Sequence, residues 1–197
     1  MDDLMPKQLS VGANKARAAH DSIAIAVRDE HPDDAAAIDA VTQAAFAHAP
    51  HSQQTEHHIV RALRAAGALA VSQVAVDAGG AVVGHVAASP VTLADGRTGW
   101  FGIGPLSVAP ARQRQGVGAR LMRSVLQALR DRGAAGAVLL GDPAYYARFG
   151  FAPQPGLIMD GLPFEYAAYF QALVFAGDVP QGAVRYHAAF EATGAAA

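Results

Sequence analysis

Between Trp100 and Arg120 the chain reads WFGIGPLSVAPARQRQGVGAR, and this stretch limits the possible folds more than any other. Its first half, Phe101 to Val108, is short and apolar, the composition of a buried strand. Gly102 and Gly104 inside it mark a bulge or a close backbone approach. Pro110 ends the strand, because proline cannot donate to a ladder. After Gln113-Arg114-Gln115-Gly116-Val117-Gly118 the pattern becomes helical, with Val117, Leu121, Val125 and Leu129 recurring at i, i+4. A glycine-bearing turn therefore joins a strand to a helix N-terminus. The free N–H groups of that first turn and the helix dipole make an anion site. Arg112, Arg114 and Arg120 add positive charge around it.

The turn lacks the Lys-Ser/Thr pair of a P-loop, which argues against nucleotide hydrolysis. Leu121 stands where a dinucleotide fingerprint has its third glycine. The remaining pattern, Gln-x-x-Gly-x-Gly after a strand, resembles the acetyl-CoA pyrophosphate loop of the GNAT superfamily of N-acetyltransferases. The resemblance implies that Gln113, Arg114, Gln115, Gly116, Val117, Gly118 and Ala119 bind the cofactor.

Composition narrows the alternatives. The 197 residues suit one domain or one domain with a tail, and 52% hydrophobic residues are ample for a core. No apolar run approaches the ~18 residues of a membrane span, and no signal-peptide pattern opens the chain, so a cytoplasmic protein without membrane association is expected. The absence of cysteine excludes disulfides, a thiolate nucleophile and Cys-based metal sites. A net charge of −2 gives no support for a nucleic-acid partner.

Taken in order, Met1 to about Asp21 reads as a flexible N-terminal extension, with residues 22–197 a single domain. Ile23, Ile25 and Val27 alternate as a half-buried strand. Pro32-Asp33-Asp34 starts a helix running to about Ala47, with Ile38, Val41 and Ala45 inside. A second helix runs from Thr55 to Ala66 and stops at Gly67. Leu69 to Val76 is a strand with one irregularity, and Asp77-Ala-Gly79-Gly80 a hairpin turn. Ala81 to about Leu93 is the return strand, which Asp95-Gly96 turns into the central one. The central helix ends at Gly133, and Val138 to Leu140 is a short buried strand. Asp142-Pro143 caps a short helix that carries Tyr145 and Tyr146 and stops at Gly150. Two tail strands are expected near Ala172–Phe175 and Ala183–His187, joined by a hairpin over Asp178–Gly182. The order β-α-α-β-β-β-α-β-α-β-β predicts an α/β (α+β) fold, a mixed and mostly antiparallel sheet flanked by helices. It is also the element order of the GNAT fold.

Further stretches carry the resemblance along the chain. Tyr146-x-x-x-Gly150-Phe151 resembles the family's Tyr-x-x-x-Gly-Phe helix. The string GDPAYYARFGF, with Gly84-His85-Val86, Gly104-Pro105-Leu106-Ser107-Val108 and Tyr186-His-Ala-Ala-Phe190, is similar to the YhbS-like subgroup of GNAT acetyltransferases. The likeness spans about Ile23 to Glu191. One departure stands out: many members carry an Asn before the tyrosine helix, against the pantetheine arm. Leu140-Gly141-Asp142 occupies that stretch here.

Acetyl transfer from a thioester to an amine requires that the donor be held, its carbonyl polarised, the amine deprotonated and the thiolate protonated. A strand that splays from its neighbour leaves unpaired N–H groups for the first two tasks. The resemblance implies that Leu106, Ser107 and Val108 supply them, with the Val108 N–H facing the thioester. Tyr146 is the implied general acid, since a phenol with an ordinary pKa of about 10 is protonated at neutral pH. Glu56, in the region where the family binds acceptors, is the candidate base or substrate contact. A packing role competes for Tyr146 and dipole stabilisation for Glu56. His85 is the rival base, Tyr145 reads as structural, and Asp142 as a helix cap. His48, His51, His57 and His58 lack metal-ligand spacing, so no metal is expected.

These readings converge on an acetyl-CoA-dependent N-acetyltransferase working by direct attack in a ternary complex, as monomer or homodimer. Its acceptor would be a small-molecule or peptide amine. A catalytically idle acyl-CoA-binding sensor on the same fold is the alternative.

Overall fold

A computed structural model describes residues 25–49 and 52–194. The proposed N-terminal extension, Ile23 and His51 lie outside the described residues. Strand β1 (Ala26–Asp29) leads through a single 3-10 turn at Pro32–Asp34 into helix α1 (Ala35–Phe46), followed by α2 (Glu56–Ala65). Then come β2 (Val71–Val76), β3 (Val82–Pro90), β4 (Thr92–Leu93) and the central β5 (Trp100–Val108). Helix α3 (Val117–Asp131) connects β5 to β6 (Gly136–Leu140), and α4 (Pro143–Tyr146) follows. The tail contributes β7 (Leu157–Met159), β8 (Phe170–Val174) and β9 (Gly182–Arg185).

Six strands form the main sheet in the order β1-β2-β3-β5-β6-β8. All neighbours are antiparallel except β5 and β6, which α3 connects as a parallel crossover. That pair is short: Trp100, Phe101 and Gly102 face Gly136, Ala137 and Val138, and no later residue of β5 pairs with β6. Beyond Gly102, β5 follows β3 up to the Val108–Gly84 pair, while β6 follows β8 to Leu140–Phe170. The two strands therefore part as a fork with its vertex at Gly102 and Val138.

Each face of the sheet is covered differently. On one, α3 buries Val117, Leu121, Met122, Val125 and Leu129 against Val86, Ile103, Ala137 and Leu139. Its i, i+4 stripe produces this packing, and each fully buried aliphatic side chain contributes about 1.5–3 kcal/mol. The other face is divided. Ile38 of α1 and Val60 of α2 cover Val74 on β2. Over β6 and β8 lies a small second sheet, β4-β9-β7, whose Leu93, Val184 and Leu157 pack on Trp100, Val138 and Phe170. The 3-10 turn Ala188–Glu191 bridges the two parts, with Ala189 against Ile59 and Leu63 of α2.

Two expectations are corrected here. The tail strands do not form a hairpin: β8 pairs with β6 in the main sheet, whereas β9 pairs with β4 and β7. The turn-forming residues Asp178–Gly182 suit a change of sheet as well as a reversal, and local chemistry cannot distinguish them. The return strand is also broken after Pro90, so that Thr92 and Leu93 join the second sheet. A proline at the end of β3 cannot continue the ladder as a donor, which permits the switch.

Candidate active site

The turn before α3 has the geometry that its sequence requires. Gly116 caps the helix at φ +84° and Arg114 also has a positive φ, +59°. This alternation of left-handed residues turns successive N–H groups toward a common point. The first helical bond is donated by the Arg120 N–H to the Gly116 carbonyl at 3.0 Å. The N–H groups of Val117, Gly118 and Ala119 thus precede the first acceptor in the helix. The Gln113 side chain donates to the Val108 carbonyl (3.2 Å) and that of Gln115 to the Ala111 carbonyl (2.8 Å). Both glutamine side chains therefore hold the turn in shape. Of the nearby arginines, Arg112 pairs with Asp77 at 3.3 Å and Arg120 donates to the Ile25 carbonyl at 2.9 Å. Arg114 has no ion pair among the described residues.

Inside the fork the ladder's parity decides which groups are free. The Ala109 N–H donates to the Val83 carbonyl at 2.9 Å, and Ser107 lies opposite His85. In an antiparallel ladder bonded pairs alternate, so Ser107 turns its N–H toward β3, while Leu106 and Val108 turn theirs toward the space that β6 has left. The Ser107 hydroxyl faces away from that space and donates to Thr42 Oγ1 beneath α1 at 3.1 Å.

Two tyrosine rings flank the fork from opposite faces, Tyr146 packed on the α3-face cluster and Tyr186 on that of the second sheet. Asp142 caps α4 by accepting from the Ala144 N–H at 2.9 Å, which sets Tyr145 and Tyr146 beside the end of β6. The Tyr146 ring lies against Gly141 and meets Phe151 edge-on, centroids 6.2 Å apart. Burial, then the neighbouring Tyr145 and Asp142, push its phenol up to about 12. Tyr145, read from the sequence as structural, lies close to the anion turn: a Cβ built on Gly118 would be 2.9 Å from its hydroxyl. The Arg148 guanidinium stacks over the Tyr145 ring at 4.7 Å. On the opposite face Tyr186, just past β9, lays its ring over Gly102 at the vertex. A Cβ there would be 2.9 Å from Cδ1, 3.1 Å from Cζ and closer still to Cε1. Its hydroxyl oxygen is buried without a hydrogen-bond partner among the described residues. Burial and the nearby Tyr146 raise its pKa. Sequence reasoning missed this residue. The only signal was its place in a tail motif, and a strand reading gave no hint of where the ring would go.

Glu56 opens α2, half-buried, and its Oε1 accepts from the Ser52 hydroxyl at 2.7 Å. Its Oε2 is buried without a partner among the described residues. The structure does not bring Glu56 into hydrogen-bond contact with Tyr146 or with the anion turn. His85 is fully buried and belongs to a network that ties α2 to three strands. Arg64 grips Glu30 at 2.7 and 3.0 Å, the Ser72 hydroxyl donates to Glu30, and His85 Nε2 is 2.8 Å from Ser72 Oγ. Because Ser72 gives its one proton to the carboxylate, it accepts from His85, which fixes the Nε2–H tautomer. The His57 and His58 rings lie against each other at a tilt of 39°, centroids 3.9 Å apart. No cluster of three or more His, Asp or Glu suited to a metal occurs among the described residues, and no helix there is long and apolar enough to cross a membrane.

The chain is similar in sequence and fold to known proteins. The Acetyltransferase (GNAT) family matches residues 35–151. The uncharacterized N-acetyltransferase YhbS of Escherichia coli K12 is 39% identical over 125 residues, 64% of this chain and 72% of the relative. A crystal structure of a GNAT family acetyltransferase from Brucella melitensis, in complex with acetyl-CoA, is 50% identical. It superposes with a TM-score of 0.74 over 85% of this chain and 98% of the other. The structure of Escherichia coli YhbS in complex with CoA gives a TM-score of 0.77 at 34% identity, covering 86% and 93%.

The His85 network generates a pH dependence. Burial, opposed by Glu30, pushes His85 down to about 4 from its ordinary 6.5. The unfolded chain thus binds a proton between these values that the folded chain does not, and stability falls as pH drops through that window. The expected loss is about 3 kcal/mol at most, with His57, also lowered by burial, adding in the same direction. Urea titrations from pH 7 to 4.5, followed by Trp100 fluorescence, should show this slope, and His85→Gln should flatten it.

Proposed function

The chain belongs to the GNAT family of acetyltransferases, and from that premise we propose that the fork between β5 and β6 holds acetyl-CoA for transfer to an amine in a ternary complex. The observation that carries this reading is the coincidence of an anion-binding turn with a run of free strand N–H groups that leads straight into it. The turn's Val117, Gly118 and Ala119 N–H groups receive the pyrophosphate, and Arg114 adds charge. The direction of β5 orders the rest. It runs from the vertex to the turn, so Val108 is nearer the phosphates, and Leu106, about 7 Å further along, is nearer the thioester. Thus the Leu106 N–H polarises the thioester carbonyl and the Val108 N–H holds the pantetheine arm, a reassignment from the order that resemblance alone implied. Ser107 contributes by fixing β5 to β3 and to α1.

The reaction itself asks little of side chains. The acceptor nitrogen forms a bond to the acyl carbon, and the carbon–sulfur bond breaks. Tyr146, protonated at neutral pH, gives its proton to the departing thiolate and is restored by the proton that the amine releases. The surplus proton of the amine leaves to a base or through water. Glu56, with a buried carboxylate oxygen that has no partner among the described residues, is the group we assign to that step on the acceptor side. The absence of cysteine removes an acetyl-thioenzyme route, which supports direct attack.

Two variants test the donor site and the acid separately. Acetyl-CoA at about 100 times its Kd should add about 2.7 kcal/mol to the stability of the parent. Gly116→Asp, still folded, should lose that shift, because aspartate strains a cap at φ +84° and repels phosphate. Absence of a shift in the parent would overturn the donor assignment. Tyr146→Phe should keep the shift but lower turnover about 10²–10⁴-fold, read as thiol release in a protein that contributes no thiol of its own. Unchanged turnover would remove Tyr146 from the chemistry.

A further inference from the structure

The fork has a floor, and Tyr186 forms part of it. On the α3 face, Tyr146 and Phe151 close the space beside β6. Along the fork, pairing of Gly102 with Val138 ends it. On the opposite face the Tyr186 ring lies over the vertex. That ring is held there from three sides. It follows β9, packs among the cluster of Trp100 and Val138, and meets Phe190 edge-on with centroids 4.7 Å apart. Gly102 is the residue that admits it, since any side chain at this position would occupy the place of the ring.

We propose that Tyr186 closes the acyl end of the donor channel, its ring restricting the acyl group to acetyl and similarly short chains and its hydroxyl donating to the acyl carbonyl oxygen. The inference rests on the donor site proposed above, in which the strand direction puts the phosphates at the turn and the acyl group toward the vertex. A longer chain entering in that direction runs into the ring at Gly102. The hydroxyl is the second observation. A buried phenol oxygen with no partner among the described residues is a site for a polar atom brought by a ligand, and the thioester carbonyl oxygen, with one lone pair for the Leu106 N–H and a second for this hydroxyl on the vertex side, is that atom. The raised pKa keeps it a donor at neutral pH. Tyr186 neither gains nor loses a proton in the transfer.

Calorimetric titration with CoA, acetyl-CoA and octanoyl-CoA tests this without an acceptor. The parent should bind octanoyl-CoA about tenfold or more weaker than acetyl-CoA. Tyr186→Ala should narrow or reverse that ratio while keeping its affinity for CoA. Tyr186→Phe retains the ring and should keep the length discrimination, but lose roughly 2- to 10-fold of any preference for acetyl-CoA over CoA. Equal binding of acetyl-CoA and octanoyl-CoA by the parent would overturn the inference even if Tyr186→Ala fails to fold. So would unaltered discrimination in a folded Tyr186→Ala. If the parent binds none of the three ligands, the donor site itself fails. If it binds all three alike, only the role of Tyr186 does.

Discussion

The parting of β5 from β6 after Gly102 is the constraint on which the rest of this structure depends. Two strands joined by a parallel crossover would ordinarily pair along their whole length, and an unpaired N–H in a protein interior is costly. Here β5 is held on one side only, by β3, and β6 on its other side only, by β8. The N–H groups of Leu106 and Val108 are left directed into a gap. A register shift between Val86 and Ala88, opposite Leu106 and Ile103, accompanies the separation. Such an arrangement persists because each strand is anchored by its other partner and by the layers above and below.

Those layers also divide the chemistry. The α3 face brings the anion turn, Tyr145 and Tyr146 to one side of the fork, through a single hydrophobic stripe and one well-formed cap at Asp142. The other face brings α2, with Glu56 at its start, and the tail, with Tyr186. Polar groups fix the second arrangement. Arg64 reaches from α2 to Glu30, which Ser72 and His85 hold to the sheet. His85 therefore acts in the framework: it is fully buried and its proton is committed to Ser72. A donor entering from one face and an amine from the other would meet where the strands separate, with a phenol on each side.

How much of this was legible in the sequence depends on the range of the interactions. The strand–turn–helix from Trp100 to Asp131 is local. Its periodicity, its glycine cap and Pro110 all act within a few residues, and the structure follows them closely. The caps at Asp142 and Gly67, and the hairpin at Asp77, were likewise readable. What depended on partners distant in sequence was not. A strand pattern does not state its neighbour, so β8 and β9 were joined in a hairpin although they belong to different sheets. Ladder parity required the Ala109–Val83 bond before Ser107 could be separated from Leu106 and Val108. Tyr186 reaches Gly102 across 84 residues of chain, and nothing near it in sequence announces the contact.

The central claim is that the free strand amides receive the donor, and amide hydrogen exchange measured by NMR tests it residue by residue. In the unliganded protein, Leu106 and Val108 should exchange faster than Ser107, whose N–H is bonded to β3. Saturating acetyl-CoA should slow Leu106 and Val108 strongly and leave Ser107 almost unchanged. If acetyl-CoA binds while Leu106 and Val108 exchange as before, the donor does not lie in the fork and the account is wrong.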